Sequence, residues 1–257
     1  MSKTQPKFEL RLAKSEADLR AAQHLRYEVF VDELGGSGDL VDHGDRLERD
    51  EFDPFYDHLL LIDRARGGDD GEVVGVYRLL RDDQAEKLGR YYTEGEYDLT
   101  ALKASGRKLL ELGRSCVHPD YRGGTALMHL WSGLADYVDE HKIEILFGVA
   151  SFHGTDIEAL KAPLSLLHHR HLAPETLRVR ALASQFQPMN LVAEADIDRP
   201  AALKATPALI KAYLRLGGFV GEGAFVDHAF NTTDVCLILD TSAMNNTRRA
   251  IYRRGSG

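Results

Sequence analysis

Hydrophobic and polar residues follow two different periods in the first part of the chain. Positions 8–12 alternate with period two, which is typical of a strand with one buried face. From Ser15 onwards the apolar residues return every three or four positions, as on one face of a helix. They are Leu19, Ala22, Leu25 and Val29. Ser15 with Asp18 three residues later is a helix-start signal, and Gly35 to Gly38 is a stop signal.

Further apolar runs, rich in β-branched residues and bounded by turn residues, predict the remaining strands. These runs cover 58–63, 73–80, 108–117, 143–150, 220–226 and 233–239. Apolar stripes predict one helix after Gly124 and another over 208–216, where Pro207 suits a first helical position. The order of elements predicts an α/β fold, a mixed central sheet flanked by helices. Its central strand–turn–helix–strand unit should cross over with a right hand.

The segment at about 155–205 carries four prolines and helix-like pieces without a clear strand pattern. We interpret it as a helical insertion before the last helix and strands, and not as a second domain. The prediction is therefore a single domain over 1–257 that ends in a short basic tail at 241–257.

Composition narrows the class of protein. Of 257 residues, 44% are hydrophobic and the formal net charge is −8, which is ordinary for a globular protein and unfavourable for a general nucleic-acid binder. No run is apolar for long enough to span a membrane, and the start has no secretory signal. Two cysteines give neither a disulfide framework nor a zinc cluster, and the histidines at 168–171 lack partner ligands, so we predict no metal. These features predict a cytoplasmic location.

A glycine turn between a predicted strand and a predicted helix is the first candidate for chemistry. Adjacent glycines let the backbone approach a ligand, and N–H groups at a helix start bind anionic oxygens. The turn lacks the dinucleotide and nucleoside-triphosphate signatures. The candidate donor-binding residues are Val117, Arg122, Gly123, Gly124 and Thr125.

Tyr213, followed by Gly217, Gly218 and Phe219, is the second candidate group. Taken with the glycine turn and in this order, it resembles the GNAT N-acyltransferase superfamily. That resemblance implies a glycine turn that binds the phosphates or phosphopantetheine of an acyl donor. The turn here is compact, which favours the single phosphate of acyl carrier protein over the pyrophosphate of coenzyme A.

The first half of the chain resembles acyl-homoserine lactone synthases, which are GNAT-like and use acyl carrier protein. The matching strings are LRYEVF at 25–30, RLERDEFD at 46–53 and ELGR at 111–114. Residue by residue, the characteristic positions of that family fall on Arg26, Phe30, Glu48, Asp50, Asp53, Arg78, Glu111 and Arg114.

A longer set of strings resembles the ornithine-lipid synthase family of N-acyltransferases. These strings, among them ELGRSCVHPDYRGG and LKAYLRLGGFVGEGAFVDHAFNTTDV, run in order from about residue 25 to residue 240. The resemblance implies transfer of a 3-hydroxyacyl group from acyl carrier protein to the α-amine of ornithine, giving a lyso-ornithine lipid. The phosphopantetheine of the carrier would be the donor arm, with no cofactor bound permanently.

These resemblances suggest roles for single residues. Aminolysis of a thioester needs a base for the amine and an acid for the thiolate. Glu111 is the expected general base and Tyr213 the expected general acid, while Arg114 positions carboxylates or the acyl 3-hydroxyl. Glu48, Asp50 and Asp53 are expected to bind the cationic amino acid with Arg26 and Arg78. Asp227 and Asp234 are expected to shape the amine site.

Alternatives remain open at several points. The acidic residues with Arg26 and Arg78 are equally compatible with a structural salt-bridge network. The same fold acting on glutamine or another amino acid, an acyl-homoserine lactone synthase, and a non-catalytic carrier- or lipid-binding module are competing functions. Basic pieces at 168–171 and 178–180 and the tail arginines at 248–254 predict peripheral contact with the inner face of a bacterial plasma membrane. A basic patch with Arg107 and Arg122 is expected for docking of the acidic carrier.

Overall fold

The computed structural model describes residues 5–38 and 40–242 of the chain. Within them the strands are β1 (Phe8–Leu12), β2 (Asp57–Asp63), β3 (Glu72–Arg81), β4 (Tyr97–Asp98), β5 (Leu109–Val117), β6 (Ile145–His153), β7 (Arg180–Ala181), β8 (Phe186–Gln187), β9 (Phe219–Val220), β10 (Ala224–Asp227) and β11 (Thr232–Asp240). The α-helices are α1 (Glu16–Arg26), α2 (Asp82–Leu88), α3 (Thr100–Ala104), α4 (Ala126–His141), α5 (Ile157–His171), α6 (Arg199–Ala205) and α7 (Ala208–Arg215).

The chain divides into two compact units, each assembled from separated segments. Of the described residues, the first unit holds those up to 88 and 112–142, and the second holds 89–111 and 143–242. Strand β5 therefore begins in the second unit and ends in the first. The prediction of a single domain over 1–257 stays a prediction.

In the first unit, β1, β2 and β3 form an antiparallel sheet with helices on both faces. Alternate side chains of β2 point to opposite faces. Leu60 and Ile62 pack in one cluster with Leu25 of α1, whereas Leu59 lies on the other face, beside Gly133 of α4. This explains why β2 is a continuous apolar run and not an alternating one.

The predicted helix after Ser15 is present but changes type. The Ser15 side chain accepts a hydrogen bond from the Asp18 N–H, as the start signal predicts, and α1 ends at Arg26. The chain then continues as a π-helix over Tyr27–Glu33. A π-helix is rare and is frequently found at functional sites.

In the second unit, the first residues of β5 pair in parallel with β6, and β11 runs antiparallel between β6 and β10. The predicted strand over 220–226 was wrong as a single element, because the chain forms β9 and β10 instead. Gly223 between them has a φ of 76°, and a Cβ there would lie 2.2 Å from the Phe186 ring. The positive φ takes the backbone out of the strand conformation at this point, and the ring leaves no room for a side chain there.

The segment at about 155–205 contains α5 and α6 together with the short strands β7 and β8. Leu166 of α5 and Ala202 of α6 pack in one cluster with Ile197, which precedes α6, and β8 pairs with β10. The architecture is α/β, with mostly antiparallel strands flanked by helices, as predicted. In the part of the chain that the structure describes, no helix is both long and apolar enough to cross a membrane.

Candidate active site

Glu111 lies in β5 and is almost completely buried, with 1% of its surface exposed. Its two carboxylate oxygens accept hydrogen bonds from the backbone N–H groups of Tyr92, at 2.9 Å, and Thr93, at 2.6 Å. Both donors belong to the short 3-10 helix Tyr92–Gly95. The carboxylate is therefore fixed in position by main-chain groups.

The turn that holds Glu111 is itself anchored. The Glu94 side chain accepts one hydrogen bond from the Tyr91 N–H at 2.8 Å and another from Lys103 Nζ at 2.5 Å. The Tyr91 ring packs edge-on against Phe147. These contacts keep the two N–H donors aimed at the Glu111 carboxylate.

Arg114 follows Glu111 by three positions in the same strand. In a regular strand the two side chains would point to opposite faces, and a local irregularity at Gly113 would be easy to accommodate. The structure places the irregularity at Arg114 instead, which has a φ of 47°. A non-glycine residue in this region costs about 1–3 kcal/mol and persists only where its surroundings hold it. The Arg114 Nε donates to Glu48 Oε1 at 3.0 Å.

The predicted acidic group and three arginines come together in the first unit. Arg26 contacts Glu48 and donates to Asp53 at 2.6 Å. Arg78 donates to both oxygens of Asp50, at 2.6 Å each, and to Asp53 at 2.9 Å. The structure therefore brings together all of the residues Arg26, Glu48, Asp50, Asp53, Arg78 and Arg114.

These six side chains carry three positive and three negative charges, so the network is neutral as a whole. Burial alone would raise the pKa of Asp53, but the charges of Arg26 and Arg78 and their hydrogen bonds hold that pKa well below its usual range. Removing one member of such a buried network typically costs about 3–5 kcal/mol, since it leaves an uncompensated charge. The geometry is what a structural network requires, and binding of the amino acid by its carboxylates stays a prediction.

The glycine turn is held by side chains of the first unit. The Arg122 guanidinium donates to both oxygens of Glu33, at 2.6 and 2.7 Å, and to the Val117 carbonyl at 3.0 Å. The Tyr121 hydroxyl donates to Asp63 at 2.7 Å. Gly123 has a φ of 77°, which favours glycine. Gly124 and Thr125 lead directly into α4, where the first N–H groups of a helix lack intrahelical acceptors.

The two arginines expected to form a basic docking patch are both engaged in ion pairs. Arg122 is bound to Glu33, and in the second unit Arg107 donates to both oxygens of Asp240 at 2.7 Å. Each arginine therefore has its charge balanced by a carboxylate. The tail arginines at 248–254 lie outside the described residues.

Tyr213 lies in α7 in the second unit and is buried. Its carbonyl accepts the Gly218 N–H at 3.0 Å. A Cβ at Gly218 would lie 2.9 Å from that same carbonyl oxygen, which explains the glycine. The second glycine of the pattern Tyr-x-x-x-Gly-Gly is thus explained by the close approach of two backbone segments. The role of the Tyr213 hydroxyl stays a prediction.

Asp227 and Asp234 meet a third carboxylate, that of Glu96, which sequence reasoning missed. One oxygen from each lies within 4.8 Å of the others. Glu96 and Asp234 are buried, and Asp227 also accepts the N–H groups of Ala229 and Phe230. Glu96 lies in the string GEYDLT, which matches none of the motifs above, so no sequence signal marked it.

Comparison with known proteins gives the family. Residues 25–132 match the model described as "Acetyltransferase (GNAT) domain". A protein of Rhodobacter capsulatus called "L-ornithine N(alpha)-acyltransferase" is 64% identical over 248 residues, covering 96% of this chain and 95% of its own. The chain belongs to the L-ornithine Nα-acyltransferase family. A member of the same name from Brucella abortus is 42% identical, over 95% of this chain and 88% of its own.

Solved structures agree on the fold. A coenzyme A-dependent acyl-homoserine lactone synthase, BjaI, superposes with a TM-score of 0.53 at 14% identity, over 97% of this chain and 90% of its own. FeeM, an N-acyl amino acid synthase from uncultured soil microbes, gives 0.51 at 10% identity, with 94% of each chain covered. At these identities the likeness concerns the fold, which is that of the GNAT acyltransferases.

Proposed function

We propose that this protein transfers a 3-hydroxyacyl group from acyl carrier protein to the α-amine of L-ornithine and so forms a lyso-ornithine lipid. The observation that carries the acceptor is the 64% identity, over nearly all of both chains, to a protein called L-ornithine N(alpha)-acyltransferase. The glutamine, homoserine-lactone and non-catalytic alternatives have no comparable support. The proposed place of action is the cytoplasmic side of the bacterial plasma membrane, because the product is an amphiphile.

The reaction requires a neutral nucleophile. The α-amine of an amino acid has a pKa of about 7.7–8.0, so most of it carries an extra proton at neutral pH. In the proposed mechanism Glu111 takes that proton, and the nitrogen then attacks the thioester carbonyl carbon. The C–N bond forms, the C–S bond breaks, and the thiolate of the phosphopantetheine leaves. The nitrogen gives up a second proton as the amide forms, which balances the proton that the thiolate takes up.

The fixed position of Glu111 supports its role as base. Two main-chain donors set the direction of its carboxylate, and a base held in place loses little freedom when the amine arrives. Tyr213 is the proposed acid that returns a proton to the departing thiolate. N–H groups near Val117 and Gly124 are the proposed donors to the oxyanion and to the phosphate of the pantetheine arm.

Two carboxylate groups are candidates for contact with the side-chain ammonium of ornithine. The acidic network of Glu48, Asp50 and Asp53 is the one proposed from the sequence, although its charge is balanced by arginines. The second group, around Asp227, lies in the other unit. Substitution in each group, described in the Discussion, decides between them.

The experiment offers purified protein two donors and several acceptors. Matched 3-hydroxyacyl thioesters of acyl carrier protein and of coenzyme A are each combined with ornithine, lysine, glutamine, norvaline or S-adenosylmethionine, and products are identified by mass spectrometry. We expect acyl-ornithine as the main product and faster turnover with the carrier protein. Equal turnover of the two donors would remove the carrier-protein proposal, and a main product from glutamine or S-adenosylmethionine would remove the ornithine proposal.

A further inference from the structure

Thr93 combines two features in the turn that holds Glu111. It is completely buried, at 0% exposure, and its N–H is the donor to Glu111 Oε1 at 2.6 Å. Its side-chain hydroxyl, however, has no hydrogen-bond partner among the residues that the structure describes. A buried hydroxyl without a partner typically costs about 1–3 kcal/mol. Valine has nearly the same shape and would avoid that cost, so the fold alone gives no reason for threonine at this position.

Covalent geometry places this hydroxyl close to the base. The Oγ1 of a threonine lies at most about 3.7 Å from its own nitrogen, so here it lies within about 6 Å of Glu111 Oε1. One atom that makes hydrogen bonds of about 2.9 Å to both oxygens spans up to about 5.8 Å, which is nearly all of that range. A primary amine nitrogen fits this description because it carries more than one N–H.

We propose that Thr93 is a further catalytic residue whose hydroxyl accepts a hydrogen bond from the acceptor amine while Glu111 takes the proton of that amine. The inference rests on the proposed role of Glu111 in ornithine acylation. One N–H bond points to Thr93 Oγ1 and the transferred proton goes to Glu111. The nitrogen lone pair is then left for the thioester carbonyl. The hydrogen bond to Thr93 thus prevents the amine from rotating about the line that joins its nitrogen to the Glu111 carboxylate.

The test uses Thr93→Val, Thr93→Ser and a matched control, Thr206→Val. Thr206 is also buried in the second unit, but its hydroxyl donates to the Ala202 carbonyl at 2.9 Å. We expect Thr93→Val to lower kcat/KM for ornithine roughly ten- to hundred-fold, the range for a hydrogen bond to a charged group, with an equal or higher Tm. Thr206→Val should do the reverse, with a lower Tm and unchanged kcat/KM.

Thr93→Ser keeps the hydroxyl and should stay within about three-fold of the wild-type kcat/KM. The inference is overturned if Thr93→Val keeps wild-type kcat/KM, or if serine and valine lose activity equally. A double-mutant cycle with Glu111→Gln adds a second readout, because groups that hold one nitrogen are not additive. If the losses in kcat/KM from Thr93→Val and Glu111→Gln are fully additive, the two residues do not hold the same nitrogen and the inference is overturned. Failure of ornithine acylation itself is seen in the wild-type enzyme before any variant is compared.

Discussion

Glu111 presents a carboxylate whose two oxygens are held by main-chain N–H groups, and its substitution is the sharpest residue-level test of the mechanism. Glu111→Gln keeps the size of the side chain and removes its basicity. General base catalysis contributes about 10²–10⁴-fold, so kcat should fall by that factor while the donor KM changes little. The rate of the variant should recover in part as the pH rises towards 9, since more of the amine is then neutral. Rapid-quench and steady-state assays measure this, and a variant with near wild-type kcat at pH 7 would assign Glu111 a structural role.

His58 gives a prediction for stability. Burial lowers the pKa of His58 below its ordinary value of 6.5. A hydrogen bond with the Asp53 carbonyl and the charge of Asp53 oppose this effect, and the charges of Arg26 and Arg78 add to it. Below about pH 6.5 the unfolded chain takes up a proton that the folded chain refuses, so the free energy of unfolding falls as the pH falls. The contribution is at most about 1.4 kcal/mol per pH unit.

Chemical denaturation between pH 7.5 and 5 measures this dependence. His58→Gln should reduce the slope of unfolding free energy against pH. An unchanged slope in His58→Gln would show that other groups produce the dependence.

At the scale of elements, the acidic network and the group around Asp227 predict different results for one substitution each. If the acidic network binds the ammonium of ornithine, Asp53→Asn should raise KM for ornithine more than KM for norvaline, which lacks that amine. If the network is structural, the variant should lose about 3–5 kcal/mol of stability instead, because Arg26 and Arg78 are left partly unpaired. Asp227→Asn is the matched variant: if the group around Asp227 binds the ammonium, this variant is the one that should raise KM for ornithine more than KM for norvaline. The measurements are Tm and the two KM values for each protein.

The elements also show how far the sequence predicts this fold. Strand β1 and the start of α1 follow from period and capping, because both signals are local. The break at 221–223 was missed because the Phe186 ring, which leaves no room for a side chain at Gly223, is distant along the chain. The donors to Glu111 were missed because they are backbone N–H groups, and the identity of a residue does not show where its backbone N–H points. Glu111 itself was found only through its string ELGR.

At the scale of the whole molecule, the protein combines a GNAT fold with a fixed carboxylate that precedes a glycine turn, and it belongs to the L-ornithine Nα-acyltransferase family. The fold was predictable because long strings of the chain resemble known acyltransferases in order. The charge balance of Arg107 and Arg122 was not, because ion pairs between distant positions depend on the tertiary structure.

The central claim is that the α-amine of ornithine receives the acyl group, and isotope-labelled ornithine tests it most directly. Purified protein is incubated with 3-hydroxyacyl-carrier protein and ornithine that carries ¹⁵N only at the side-chain amine. The product is then fragmented by tandem mass spectrometry. The account predicts an acyl amide that contains unlabelled nitrogen, with the label retained on a free amine. An amide that contains ¹⁵N, or no acyl-ornithine at all beside an active control enzyme, would contradict it.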